Sequence, residues 1–258
     1  MHYSPSLALA TAAFEIAVAL WLLSWVHAIP TRLRSRRSTM YDRALGRAAA
    51  DRAALHTTAA ILLLLGGYQM AEVAICASPA ASGFLPRLAF LIVTWLPPLG
   101  LLLIAQIHEP RSRRFHGPAY GMLAAAAGVT GWILLDPGFA SASACNAVFA
   151  HYTHAMPRFL AYAVFYWTGL LGMIVLSAWS ASRLSDARRR RMSQYILGGT
   201  VAFVVPSLVV TQYVPPARGA LPSIMCHFAL LLAVSLTRMV YIEWQWCHRD
   251  VTSAVADT

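Results

Sequence analysis

Two glutamates interrupt long apolar runs: Glu15 in "TAAFEIAVAL" and Glu72 in "GGYQMAEVAIC". A carboxyl within the hydrocarbon layer is costly, so it faces a bundle interior and is kept for a ligand, a proton or a hydrogen bond. Gln69 precedes Glu72 by three residues and shares its helix face, so the two can act together. Gly66 and Gly67, just before Tyr68, would let a neighbouring helix approach closely. Glu15 has no such partner nearby in sequence.

Imidazoles and thiols form the second set of candidates. His2, His151, His154, His227, Cys76, Cys145 and Cys226 all fall on the side of the apolar segments nearest Glu72. Asp136 lies there too. The stretch "PGFASASACNAVFAHYTHAMP" carries Cys145 with the His151/His154 pair. Imidazole, thiolate and carboxylate together suit zinc or copper. The two rings share a side only if the stretch is helical there. Cys145 could instead pair with Cys76 or with Cys226 as a disulfide in an oxidising compartment, or the thiols could stay free. On the opposite side lie His27, His56, His108, Glu109, His116, Cys247 and His248. Bis-histidine haem sites from His56 with His108, or His154 with His227, are disfavoured, because most of these residues sit at segment ends.

The elements that must position these groups follow from composition. Apolar residues make up 59% of the 258 and charged residues 12%, half the charge of an ordinary soluble domain. Seven segments are long and apolar enough to span a bilayer: 6–28, 53–77, 87–109, 118–136, 158–181, 194–212 and 222–244. The expected fold is an all-α polytopic bundle of seven transmembrane helices, one domain over 1–244 with a short tail over 245–258. No basic residue precedes the first segment, so it lacks the n-region of a cleaved secretory signal. Pro97-Pro98 and Pro206 are expected to break or kink their helices. The alanine-rich "TMYDRALGRAAADRAAL" could extend the second helix beyond the membrane.

All 20 basic residues are arginine, so the chain has no lysine for a retinal Schiff base or a pyridoxal phosphate linkage. The net charge of +10 sits in clusters between apolar segments, a topogenic pattern and not a nucleic-acid surface. Seventeen arginines fall on one side, and only Arg87, Arg158 and Arg218 on the other. The positive-inside rule then predicts an outer N-terminus and a cytoplasmic C-terminus in a bacterial cytoplasmic membrane.

Several stretches together resemble an uncharacterised bacterial multi-pass membrane family. Its members open Met-Cys-Phe-Ser, carry Gln-x-x-Glu in helix two, and read roughly Ser-x-x-Cys-Phe-Phe-Ala in the last helix. The matching residues are Met1-His2-Tyr3-Ser4, Gln69-x-x-Glu72 and Ser223-Ile224-Met225-Cys226-His227-Phe228-Ala229, with a similar "TWLPPLG" in helix three. The resemblance implies a fold and a site, with no reaction attached. Histidine stands where the family has its second-position cysteine, and those two types interchange as metal ligands. The implied site joins His2, Glu72, Cys226 and His227, with His154 as a further candidate, around zinc, copper or a polar ligand.

Three functions are compatible with these residues. The leading one is a ligand-binding, sensory or accessory subunit with an outward-facing polar pocket. Its partners would be the bilayer, and a membrane protein or second copy. A membrane metalloenzyme or metal-binding redox protein would instead use Glu72 as a base beside metal-bound water. A proton-coupled transporter would relay protons through Glu15 and Glu72.

Overall fold

An apolar segment in hydrocarbon becomes a helix because that backbone satisfies every amide within the segment. The computed structural model describes residues 5–28, 39–77, 83–108, 113–145, 150–154, 158–214 and 220–256. Within them lie α1 (Ser6–Ala28), α2 (Thr39–Ala77), α3 (Leu85–Thr94), α4 (Leu96–His108) and α5 (Arg113–Leu135). A hairpin of β1 (Ala140–Cys145) and β2 (Ala150–His154) follows, then α6 (Arg158–Arg183), α7 (Ala187–Tyr213) and α8 (Leu221–Ala256). Seven helical stretches are long and apolar enough to cross a membrane, α3 and α4 together making one of them. The chain is a multi-pass helical membrane protein.

The break between α3 and α4 is built by Pro97 and Pro98, which have no amide hydrogen to give. The Trp95 amide tightens onto the Ile92 carbonyl at 3.4 Å, and the Leu99 amide restarts the helix on Trp95 at 3.1 Å. Pro206 behaves differently, and α7 continues through it. Hydroxyls around that proline bond back to helix carbonyls, Thr200 to Ile196 at 2.8 Å and Ser207 to Phe203 at 2.6 Å. Bonding back by one turn satisfies these hydroxyls within the apolar helix.

Two helices outrun their spans. α2 begins at Thr39 although its apolar segment starts near 53, and α8 carries on to Ala256 past an apolar segment that ends near 244. The expected tail is therefore a continuation of α8. α7 starts at Ala187 and not at the apolar onset near 194, because the Asp186 carboxylate caps it, accepting from the Arg188 amide at 2.9 Å.

In the centre stand α2, the α3–α4 span and α8, with 56%, 67% and 56% of their apolar windows buried. α5 and α6 bury only 17% and 22% and form the rim. Leu134, Leu160, Val164, Leu171 and Val175 are exposed on them, a normal surface for lipid contact. α4, α5 and α6 meet at Gly169. A Cβ there would stand 2.5 Å from Pro97 Cβ and 2.9 Å from Met122 Cε. The Pro97 ring cannot move aside, so Gly169→Ala is expected to cost about 1–3 kcal/mol by overpacking, more than the helix propensity it adds. Denaturation of the two proteins in matched detergent would read the difference.

One end of the bundle is aromatic. Phe90 packs edge-on against Phe139, Tyr152, Phe159 and Tyr162, with centroids 5.4 to 6.0 Å apart. The hairpin sits on this end, antiparallel with a bulge between Ala142 and Ala144. Sequence reading treats this stretch as a loop, and the hairpin is an addition to the all-helical expectation.

Candidate functional site

α2 and α8 pack antiparallel, and their polar residues meet as two rungs. Ser223 Oγ donates to Glu72 Oε1 at 2.6 Å, and Gln69 Nε2 donates to the Cys226 carbonyl at 2.8 Å. Each helix advances three residues between rungs, a rise of about 4.5 Å, and the opposed directions keep both pairs in register. The Gln-x-x-Glu of one helix thus pairs with the Ser-x-x-Cys of the other. His227, one residue beyond Cys226, turns its Nδ1 to the Ser223 carbonyl at 2.9 Å and lies within electrostatic range of Glu72.

The hairpin closes the end of this cluster. The Ala150 amide donates to Ser223 Oγ at 3.3 Å, and the Tyr152 hydroxyl meets that of Tyr68 at 3.2 Å. A disulfide joins Cys76, four residues after Glu72, to Cys145 at the end of β1. Of the two pairings the sequence leaves open, the structure forms this one, and Cys226 remains a buried free thiol.

Glu15 reaches the same region from α1, which packs on α2 and α8. Both Glu15 and Glu72 lie within electrostatic range of the Cys226 thiol. Glu15, Glu72 and Ser223 are all at 0% exposure. The group expected to line an open pocket is instead a closed cluster beneath the hairpin. Among the described residues, four of its acceptors have no hydrogen-bond donor: both Glu15 oxygens, Gln69 Oε1 and Glu72 Oε2. Burying a polar group without a partner is unfavourable, so replacing Glu15 by an apolar residue of similar reach should stabilise the fold. Glu15→Met is expected to add about 1–2 kcal/mol, read as a later midpoint in denaturant.

Among the described residues no three of His, Cys, Asp and Glu converge to hold an ion. Cys145 is consumed by Cys76, and the Nδ1 of His227 is engaged by its own helix. His154 is in β2 opposite Ala140, a strand and not the helical loop the HxxH reading requires, and its side chain is outside the described residues. His2 also lies outside them. At the other end of the bundle, His108 Nδ1 meets Ser180 Oγ at 3.1 Å and its ring packs 3.9 Å from Phe115, while His56 Nδ1 bonds to the Arg52 carbonyl at 2.8 Å.

Tyr68, Tyr152 and the Ala150 amide are site groups that motif reading overlooks. Their signal is present in "AHYTH", whose aromatic and β-branched residues favour a strand. Compared with known proteins, the chain matches no family model, and no curated protein is significantly similar to it.

Proposed function

We propose that the chain is a ligand-binding, sensory or accessory subunit of a bacterial cytoplasmic membrane, with the Glu15–Gln69–Glu72 cluster as its functional centre. The observation that carries this reading is the set of four buried acceptors without donors. Whatever completes them must bring hydrogens: a proton, water, or a ligand rich in N–H or O–H groups. Intramembrane carboxyls of this kind are kept for function at a cost in stability.

The orientation belongs to the same proposal, with the N-terminus and hairpin outside and the C-terminus in the cytoplasm. Two independent features support it. The arginine count favours that sidedness, and the Cys76–Cys145 disulfide at the hairpin end suits an oxidising compartment.

Proton flux separates this reading from the transporter. Liposomes carrying the purified protein should acidify no faster than empty vesicles after a pH jump, with or without Glu72→Gln. Flux in the native protein that Glu72→Gln abolishes would replace the subunit with a proton-coupled transporter.

A further inference from the structure

Between α3, α6 and α8 lies a cavity of about 160 Å³. Its walls include Phe90 of α3, Phe159, Tyr162 and Tyr166 of α6, and Met225 and Cys226 of α8. The rings are ordered: Phe159 stacks on Tyr162 at 5.8 Å, Tyr162 stacks on Tyr166 at 5.9 Å, and Phe90 meets Phe159 and Tyr162 edge-on. No charged residue lines the space. An ion would be stripped of water there without compensation. An apolar cavity of about 150 Å³ stays dry and holds one benzene-sized molecule, so the size fits a single ring.

The walls also favour a ring over a segment of acyl chain. Ring faces and edges already line the void at offset-stacked and edge-to-face spacings, and an inserted ring would extend that arrangement. α6, which supplies much of the wall, is a rim helix with Leu160, Val164, Leu171 and Val175 exposed, so the bilayer is the adjoining solvent. We propose that this cavity binds an uncharged, lipid-soluble, single-ring compound that enters from the bilayer beside α6.

The site stands on its own geometry and does not depend on the function proposed above. The two nevertheless meet in one residue. Cys226 lines the cavity and holds Gln69 through its carbonyl.

The test is photolabelling of the full chain in phospholipid nanodiscs with 3-trifluoromethyl-3-phenyldiazirine, with adducts mapped by mass spectrometry. Adducts on Phe159, Tyr166 and Met225 should saturate with probe concentration and disappear under excess toluene. Those on exposed Leu171 and Val175 should rise linearly and ignore toluene. Heptane should compete about three- to tenfold more weakly than toluene, the difference that ring pairing supplies. Ala163→Trp and Met225→Trp fill the cavity from opposite walls. Each should remove the saturable adducts while leaving those on Leu171 and Val175, and an intact Cys76–Cys145 bond identifies the folded variant. Labelling with no saturable component, heptane matching toluene, or saturable labelling that survives in a folded cavity-filled variant would overturn the proposal.

Discussion

Cys145→Ser is expected to destabilise the protein by about 2–4 kcal/mol, with the damage concentrated at the hairpin end. The bond closes a loop across a sequence separation of 69, for which the chain-entropy relation gives about 4 kcal/mol in a freely unfolded chain. Helices still inserted in a membrane keep part of that loop ordered, which lowers the figure. The local consequence is larger than the number suggests. β1 and β2 hold Tyr152 against Tyr68 and the Ala150 amide against Ser223. Freed from α2, the hairpin should open first, and amide exchange of β1 and β2 should accelerate before that of α2 or α8. Exchange that speeds up equally across all helices would mean the bond stabilises the bundle globally and not the hairpin.

Glu72→Ala is expected to cost about 2–4 kcal/mol, the range for truncating a long buried side chain to alanine. One interhelical hydrogen bond in a membrane contributes only about 0.6 kcal/mol on average, so most of the loss comes from the void and from stranding the Ser223 hydroxyl. Glu72→Gln keeps the volume and an oxygen that Ser223 can donate to. It should lie within about 1 kcal/mol of the parent. A denaturant series on the three proteins checks both values. Equal losses for alanine and glutamine would shift the weight from packing to the carboxylate itself.

Most of the fold is legible because a membrane span announces itself by length and apolarity. The seven segments read from sequence coincide with the seven candidate spans, and the Pro97-Pro98 pair marks the α3–α4 break. Boundaries fail where polar residues are helical. Arg188 to Arg191 lie in α7 because Asp186 caps it, a signal that hydropathy ignores. The hairpin is missed because "ASASAC" alternates only between alanine and serine, small residues with weak hydrophobic contrast and none of the aromatic or β-branched side chains that mark a strand. Its register is set by contacts far away in sequence, chiefly Cys76, Tyr68 and Ser223.

The site divides in the same way. Gln69 and Glu72 are visible as a pair on one helix face, and Ser223 and Cys226 as a second pair. That the two pairs face each other follows from helix packing, which no local pattern encodes. Glu15 illustrates the limit most clearly. Nothing near it in sequence suggests a partner, yet α1 lies against α2 and α8 and delivers it to the Cys226 neighbourhood. Other groups of suitable type are engaged elsewhere: Cys145 by its bond to Cys76, and His227 Nδ1 by the Ser223 carbonyl.

The helices joined by the rungs, α2 and α8, both continue past their apolar segments. Both extensions leave the same side of the bundle, since α2 begins there and α8 ends there. From Glu72 back to Thr39 the helix rises about 50 Å. A rigid rod of that length, pivoting at the rung by about 5°, swings its far tip by roughly 4 Å, more than the width of a water molecule. A change in the angle between the two helices at the Glu72–Ser223 rung would therefore be read on that side as a several-ångström change in the spacing of their far tips.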